Sequence, residues 1–527
     1  MVLQVVRPVD NLERYNVTRS NVNIYNNVSV GISVHSPVTL PSHQRDWAQL
    51  LLNPITTLLE RHPILATVVG DHLTGHPVFL RLQSVDLLPL IQVYTASFDC
   101  NEDNMTTIAQ VLEDEHNKPF NLADQARPLW RLTFVPIGDE SFCLIYTFHH
   151  VIGDGRSAMA LTEQLVEQLN LQLQSATPSP SPSPSPSPAS SFKIPIVPDK
   201  PIPASIESRI NCYPSIRSLL WEASRAIFLP GFIKKALETK YWAGEIDSSL
   251  EVPNQTEVGF LRLTQDETQA VVRVAKTRAT TVQAILYTAS IFAVRSVFMS
   301  GSTMDEKLEG CAAVERNDEE ALVFATPCSL RELIPNRIGA NEQGNYVSEI
   351  LHDNIQVKDR SGFWAMTDAY RKEVVAGTTT PRGIQDLLEH FGALALLSKK
   401  DGSWEKFMTS KVTKDQHGRK ASVKLSNLGR GWSTPSTSGT VATGGALYTI
   451  QDVVFSQSSG VTASALTMSA ATANSRLSIS TTWQKAAFHG RARGEMFVAE
   501  FKRILLLVAL QHADTPELSY LDICPRH

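Results

Sequence analysis

An apolar run at residues 142–148 leads directly into the polar heptapeptide at residues 149–155. Aromatic, β-branched and Leu side chains dominate the run, which predicts a β-strand that is buried on both faces. Apolar residues then recur at helical spacing: Ala158, Leu161, Leu165 and Leu169. The predicted order of strand, short polar loop and helix places His150 at the end of a strand, where its ring can face a cavity.

The polar loop carries side chains suited to acid–base chemistry. A neutral imidazole accepts a proton readily near pH 7, so His150 is the candidate general base, whereas His149 points to the opposite side of the extended backbone as a structural neighbour. Asp154 could orient the imidazole, or it could pair with a cation elsewhere and hold the loop. Gly153 and Gly155 fit a backbone that needs positive φ or close approach. The alternative is a structural role, in which the two histidines form hydrogen bonds within a turn or loosely bind a metal.

This loop resembles the HHxxxDG signature of the CoA-dependent acyltransferase superfamily, which includes chloramphenicol acetyltransferase, condensation domains, plant BAHD enzymes and fungal alcohol acetyltransferases. The chain most resembles the fungal alcohol acetyltransferases. Other segments that resemble the superfamily span most of the chain: 12–15, 25–28, 61–65, 128–132, 327–331, 426–429 and 477–483. The DFGWG segment typical of the plant enzymes is absent, and residues 429–432 read Gly-Arg-Gly-Trp instead.

The resemblance implies an α+β fold of two chloramphenicol-acetyltransferase-like lobes, with the active site in a channel between them. It also implies that Arg331 pairs with Asp154. Asp154 would then have a structural role in the catalytic motif rather than form a catalytic dyad with His150. Gly155 and His149 would likewise shape the motif. We expect no metal ion at this site.

By the same resemblance, His150 removes the proton of an acceptor hydroxyl while the oxygen attacks the thioester of acetyl-CoA. No covalent enzyme intermediate is needed, and acetyl-CoA is a co-substrate rather than a permanently bound cofactor. Ser426 and Asn427 are candidate donors to the oxyanion, where one well-placed donor contributes about 3 kcal/mol. Their alternative role is to end a strand before a turn at Gly429.

Other functions stay open at this stage. An amine could replace the alcohol as acceptor, because the same base can deprotonate either nucleophile. A condensation-type enzyme would take its acyl group from a carrier protein, although this chain has neither the length nor the motifs for neighbouring carrier or adenylation domains. An inactive binding module on the same fold is a further alternative.

Composition agrees with a large intracellular enzyme. The 527 residues are 43% hydrophobic and 19% charged, enough for a substantial core. The net charge of −5 supplies no general attraction for nucleic acid or anionic membranes. Six unclustered cysteines indicate reduced thiols, and no secretory signal or membrane-spanning stretch is evident. We expect a cytoplasmic protein, and a monomer, since both lobes contribute to one cleft. Peripheral association with membranes or lipid droplets is the alternative.

The predicted organisation has three parts: an N-terminal lobe at residues 1–175, a crossover at 176–255 and a C-terminal lobe at 256–527. The crossover contains the Ser-Pro alternation at 177–188, which cannot bury apolar surface and predicts an exposed linker.

Within the C-terminal lobe we predict several elements: a strand at 258–263, helices beginning after Thr264 and Thr281, a strand around 477–483 and a core helix within 496–510. The polar face of the strand around 477–483 could line a cleft or face solvent, since any half-buried strand alternates in this way. The helix at 496–510 has an interfacial membrane helix as its alternative.

Overall fold

The computed structural model describes most of the chain: residues 3–94, 105–175, 192–215, 240–246, 254–299, 320–412, 418–432, 447–485, 487–511 and 515–525. The predicted Ser-Pro linker lies outside the described residues, as do two of the six cysteines, Cys100 and Cys311.

The strands are short to medium in length: β1 Gln4–Pro8, β2 Val28–His35, β3 Thr67–Gly70, β4 Val78–Arg81, β5 Ser84–Asp86, β6 Ile91–Val93, β7 Trp130–Pro136, β8 Ser141–Phe148, β9 Lys193–Pro195, β10 Thr256–Arg262, β11 Leu322–Ser329, β12 Val347–Ile355, β13 Ala421–Arg430, β14 Thr449–Gln457, β15 Ser464–Ala473 and β16 Arg476–Gln484.

The α-helices are interspersed among them: α1 Asn11–Asn21, α2 Gln44–Arg61, α3 Met105–His116, α4 Gly155–Ser175, α5 Ile206–Arg209, α6 Gln265–Thr277, α7 Val282–Val294, α8 Phe363–Thr379, α9 Pro381–Gly392, α10 Ser403–Val412, α11 Arg491–Leu506 and α12 Tyr520–Ile523. Helix α7 continues into a π-helical turn at Arg295–Met299, and α11 into another at Leu507–Gln511.

Two larger sheets organise the described residues. A five-stranded sheet has the order β14-β2-β8-β7-β6, and a six-stranded sheet has the order β10-β16-β15-β13-β11-β12. Two small sheets, β1-β4-β3 and β5-β9, accompany them. This mixture of helices with mainly antiparallel sheets is the predicted α+β class.

Each larger sheet carries its own hydrophobic core. Helices α2 and α4 bury their apolar faces on the five-stranded sheet, where the Trp47 ring stacks on Phe134 with 3.9 Å between ring centroids. Helices α6, α7 and α11 cover the six-stranded sheet, and Tyr287 of α7 stacks on Tyr370 of α8 at 4.0 Å. The loop at residues 149–155 follows β8 of the five-stranded sheet, and Val151 and Ile152 lie in the core of that sheet.

Most local predictions are confirmed. The strand β8 is buried on both faces and α4 follows the loop. Helix α6 begins with a capping box in which Thr264 Oγ1 accepts from the Glu267 amide. Thr281 is the N-cap of α7, where its side chain accepts from the Ala284 amide. Helix α11 is the predicted core helix, since Phe497 and Phe501 lie in the second core.

The prediction for the polar face of β16 is wrong. Ser480 and Thr482 neither line a cleft nor face solvent but are fully buried. Ser480 Oγ donates to the carbonyl of Phe455 and Thr482 Oγ1 donates to the carbonyl of Gln457, both at 2.8 Å. These acceptors belong to β14, so the hydroxyls of β16 satisfy main-chain groups of a strand in the other sheet. Hydroxyl groups can be buried here because each one has a partner.

Strand β14 joins the two parts of the chain. It follows β13 in sequence, yet it pairs antiparallel with β2 at the edge of the five-stranded sheet, with Phe455 opposite Val30. The predicted lobe boundaries stay a prediction, but the sequence 256–527 contributes this strand to the sheet of the first part.

One helix among the described residues, Val282–Met299, is long and apolar enough to cross a membrane by length and composition alone. Its mean hydropathy is 1.5, and 83% of it is buried inside the protein. Burial to this extent is what the core helix of a folded domain shows. The cysteines of the described residues, Cys143, Cys212, Cys328 and Cys524, are buried free thiols.

The hydroxyl contacts between β16 and β14 should contribute to stability. Thr482→Val preserves side-chain size but leaves the carbonyl of Gln457 buried without this donor, so we expect the free energy of unfolding to fall by about 1–2 kcal/mol. Urea unfolding followed by tryptophan fluorescence measures the change. The matched control is Thr106→Val at an exposed position of α3, where we expect less than about 0.5 kcal/mol. Equal effects at the two positions would contradict the role of the buried hydroxyl.

Candidate active site

The loop at residues 149–155 is fixed by the strand before it and the helix after it. Strand β8 lies between β2 and β7, and Phe148 is paired with both Val28 and Trp130. The His149 amide then donates to the carbonyl of Leu129 at 2.9 Å, and the Ile152 amide donates to the carbonyl of His149 at 3.1 Å. The chain therefore leaves the sheet in a tight, hydrogen-bonded turn. After this turn begins, the side chain of His150 lies at the cavity rather than in the hydrophobic core.

His149 is a buried structural side chain. Its Nδ1 accepts from the Val151 amide at 3.1 Å, so its Nε2 is the nitrogen that donates to Ser20 Oγ at 2.7 Å. Burial lowers the pKa of His149 to about 3, and the neighbouring His150 and Arg19 add to the shift. The ring is neutral at pH 7 and ties the loop to helix α1.

His150 faces a cavity of about 390 Å³. Burial is the main cause that lowers its pKa to about 4, and the charges of Arg19 and Lys424 lower it further. Its own backbone and the charge of Asp154 oppose this shift without reversing it. Nδ1 of His150 is buried and hydrogen-bonds to no other residue in the described part of the chain. A neutral imidazole that faces a cavity can accept a proton there.

Asp154 is fully buried and directed away from this chemistry. Its carboxylate accepts from Arg331 Nη2 at 3.0 and 3.2 Å, from the amide and hydroxyl of Ser157 at 2.8 and 3.1 Å, and from the Tyr346 amide at 3.1 Å. The structure thus brings Asp154 and Arg331 together, and the carboxylate oxygens are occupied by these donors rather than by the imidazole of His150.

Arg331 is held on its other side by the loop that follows β11. Its Nη1 donates to the carbonyls of Gly339 and Glu342, at 3.2 and 2.8 Å. Its guanidinium lies over the ring of Tyr346, 4.8 Å from the centroid. The loop between β11 and β12 therefore wraps the cation and presents it to Asp154.

Gly155 permits a close approach between the two halves of the site. A Cβ atom there would lie 2.6 Å from Leu428 Cδ2 and 3.3 Å from Phe455 Cζ, closer than van der Waals contact allows. A glycine is expected here either for a positive φ angle or for close approach of another group. The φ angle is not positive, so close approach is the reason. It brings the start of α4 against β13 and β14.

Ser426 and Asn427 lie on β13 and line the same cavity as His150. Asn427 Oδ1 accepts from the Gly429 amide at 2.8 Å, and Gly429 adopts a φ of +76°. Asn427 therefore shapes the predicted turn while it lines the cavity. Its neighbour Ser426 presents a hydroxyl at the cavity wall.

Sequence reasoning missed several residues of the cavity wall. Lys424 precedes Ser426 by two positions and shares its face of β13, a relation that the period of a strand could have revealed. Burial lowers its pKa to about 8. Arg156, Gln283 and Thr326 also line the cavity, and they come from distant parts of the sequence.

Thr326 anchors a polar network behind the wall. Its hydroxyl lies 3.0 Å from His352 Nε2 and 2.9 Å from the hydroxyl of Tyr370. His352 Nδ1 lies 2.7 Å from Glu373 Oε2, and Gln283 Nε2 donates to the Tyr370 hydroxyl at 3.1 Å. The network holds Thr326 and Gln283 at the cavity wall and reaches solvent at the exposed side chain of Glu373.

Comparison with known proteins decides the family. A family model described as alcohol acetyltransferase matches residues 90–505. The chain belongs to the alcohol acetyltransferase family. The predicted resemblance is confirmed, and the matched range includes residues 149–155, Arg331 and the cavity-lining part of β13.

Individual relatives match over shorter ranges. A probable alcohol acetyltransferase of Aspergillus fumigatus is 28% identical over 155 residues, which are 28% of this chain and 33% of the relative. Bacitracin synthase 3 of Bacillus licheniformis is 25% identical over 171 residues, which are 32% of this chain and 2% of the relative. The chain thus matches one third or less of the length of these relatives.

Solved structures share the fold over nearly the whole chain. Trichothecene 15-O-acetyltransferase from Fusarium sporotrichioides aligns with a TM-score of 0.62 at 11% identity, covering 95% of this chain and 94% of that chain. The epimerization domain of tyrocidine synthetase B aligns with a TM-score of 0.57 at 14% identity, covering 97% and 98%. These likenesses confirm the predicted fold class.

Removing one partner of the buried ion pair between Asp154 and Arg331 should strongly destabilise the protein. Arg331→Met leaves a carboxylate buried without its cation, and we expect the free energy of unfolding to fall by about 3–5 kcal/mol. The double variant Asp154→Asn with Arg331→Met should recover part of this loss, because no unpaired charge remains. Chemical denaturation of both single variants and the double variant measures the coupling. Strictly additive losses would contradict it.

Proposed function

We propose that the protein transfers an acetyl group from acetyl-CoA to the hydroxyl of a small-molecule alcohol, with His150 as general base. The observation that carries this proposal is the neutral His150 at the wall of a cavity shared with Ser426 and Asn427. A cavity of about 390 Å³ lies within the size range of small-molecule sites. Membership in the alcohol acetyltransferase family supports the choice of donor and acceptor.

In this mechanism His150 takes the hydroxyl proton while the acceptor oxygen attacks the thioester carbonyl. The carbonyl oxygen becomes an oxyanion, to which the hydroxyl of Ser426 and Nδ2 of Asn427 can donate. When the intermediate collapses, the carbon–sulfur bond breaks and the proton passes from His150 to the departing thiolate. The ring returns to its neutral form, and no bond to the enzyme is made.

Asp154 acts in this proposal as a positioning residue. Its ion pair with Arg331 and its bonds to Ser157 and Tyr346 fix the turn that aims His150 into the cavity. His149 supports the other side of the turn through Ser20. Correct placement of a base relative to a bound acceptor accounts for a large part of such catalysis.

The charges around the cavity favour an alcohol over an amine. Lys424 and Arg156 line the cavity, and Arg19 lies close enough for its charge to lower the pKa of His150. An alkylamine is a cation at neutral pH, so these groups would repel it and it would need to lose a proton before it attacks. An alcohol is neutral and meets no such barrier.

A condensation-type reaction is the second candidate, because structurally similar proteins include the epimerization domain of tyrocidine synthetase B and the condensation domain of a polyketide synthase. It would use the same base with a thioester held by a carrier protein. Efficient transfer from free acetyl-CoA would favour the acetyltransferase reaction over the condensation-type reaction.

We also propose that the protein acts as a cytoplasmic monomer, with any membrane association peripheral.

The role of His150 can be tested by the release of free thiol from acetyl-CoA with a panel of alcohols and amines. We expect His150→Ala to lower acceptor-dependent thiol release by about 10²- to 10⁴-fold, because the proton acceptor is lost. The matched control is His76→Ala at an exposed position, which should retain full activity. Full activity of His150→Ala would overturn the assignment, and a preference for amines would overturn the choice of alcohol.

The low pKa of His150 predicts an unusual pH profile. The base stays neutral well below the ordinary histidine value of about 6.5, so we expect kcat/KM for the alcohol to halve only near pH 4. An acid limb near pH 6.5 would contradict this. Initial rates in overlapping buffers measure the profile.

Stability must be followed in parallel, because burial also lowers the pKa of His116 and His149, each to about 3. Below pH 6.5 the unfolded chain binds protons that these buried rings do not. The free energy of unfolding therefore falls with decreasing pH, by about 1.4 kcal/mol per pH unit for each such histidine until its folded pKa is reached. Circular dichroism at each pH separates loss of the fold from protonation of the base.

A further inference from the structure

The cavity around His150 has an unbalanced charge. Among the described residues that line it, the side chains with a permanent charge are cations, Arg156 and Lys424, and none is Asp or Glu. The protein as a whole has a net charge of −5, so this wall differs in sign from the average surface. A concave site lined by one sign of charge concentrates ligands of the opposite sign.

Lys424 is the more informative of the two cations. It lies on β13, between β11 and β15 in the interior of the six-stranded sheet. The carboxylate whose charge acts on it most is that of Glu349, which is already bridged to Lys420 and lies 3.3 Å from His390 Nε2. Lys424 itself forms no ion pair within the described part of the chain. The side chain of Lys424 is half-buried at the cavity, and an ammonium held there without an ion-pair partner gains electrostatic energy from a bound anion.

The position of Lys424 indicates which part of a ligand it would meet. Lys424 and His150 line one cavity, and the charge of Lys424 acts on the imidazole. The thioester of acetyl-CoA must reach His150, but the phosphates of CoA lie at the far end of the long pantetheine arm. The anion that Lys424 meets is therefore expected on the acceptor rather than on the donor.

We propose that the acceptor is a hydroxy acid, whose carboxylate pairs with Lys424 while its hydroxyl lies at His150. The proposal rests on the alcohol acetyltransfer proposed above and names the class of its acceptor. A single carboxylate matches the single charge of one lysine. Arg156, at the first turn of α4, adds to the positive potential at the same wall.

The experiment compares matched acceptors that differ only in charge. A series of aliphatic hydroxy acids and their methyl esters is assayed with acetyl-CoA, using wild type, Lys424→Met and Lys424→Arg. We expect wild type to prefer the acid over its ester by about 10- to 100-fold in kcat/KM, mostly through KM. Lys424→Met should collapse this ratio towards one, while Lys424→Arg should retain most of it because the cation is kept.

The control variant is Lys406→Met at an exposed position of α10, which should keep the wild-type ratio of acid to ester. Met at position 424 suits a buried strand, and thermal unfolding verifies that the variants are folded. An equal ratio in wild type and Lys424→Met would overturn the proposal. A loss of kcat that is the same for acid and ester would also overturn it, because Lys424 would then act on the transition state.

A second acetyl donor distinguishes the carboxylate of the acceptor from the phosphates of CoA as the anion that Lys424 binds. Acetyl-pantetheine carries the thioester but no phosphates. If the effect of Lys424→Met on the acid persists with this donor, the anion belongs to the acceptor. If the effect is seen only with acetyl-CoA, Lys424 binds a CoA phosphate and the proposal fails. Absence of thiol release by wild type with every acceptor would instead contradict the acetyltransfer itself.

Discussion

The buried ion pair between Asp154 and Arg331 is the contact on which the site depends. Its partners are 177 positions apart in sequence, one in the loop after β8 and the other in the loop after β11. Removing two charges from water is expensive, and the cost is offset here because Ser157 and the Tyr346 amide complete the hydrogen bonding of the carboxylate. A pair of this kind adds little net stability but tolerates few alternative arrangements. It therefore specifies how the two sheets face each other across the cavity.

The two sheets are likewise joined through buried polar groups that form hydrogen bonds with each other. Strand β14 belongs to the second half of the chain but extends the sheet of the first half along β2. The hydroxyls of Ser480 and Thr482 on β16 donate to its carbonyls, so polar side chains form part of the buried interface. Close packing at Gly155 completes the junction, since no side chain would fit against Leu428. His150 lies where these contacts converge.

Local elements could be predicted from the sequence to a large extent. The buried strand β8, the helix α4 and the capped starts of α6 and α7 follow from residue type and spacing within a few positions. The polar face of β16 could not be interpreted in this way. Alternation of Ser and Thr with apolar residues is the same whether the hydroxyls meet water, a ligand or the backbone of another strand, and only the third occurs here. The cavity wall was found only in part, since Ser426 and Asn427 lie within a recognisable motif and Lys424 precedes it.

The sequence by itself predicted the strand, polar loop and helix around His150, because these depend on short-range patterns, and its motifs indicated the family and, through that resemblance, the class of fold. Tertiary structure decided what the loop's side chains do. Only folding places Arg331 against Asp154, removes the carboxylate from His150 and surrounds the imidazole with the charges of Arg19 and Lys424. The physical reason is that pKa values, desolvation and cavity charge depend on distances through space between residues far apart in the chain, and no local pattern encodes those distances.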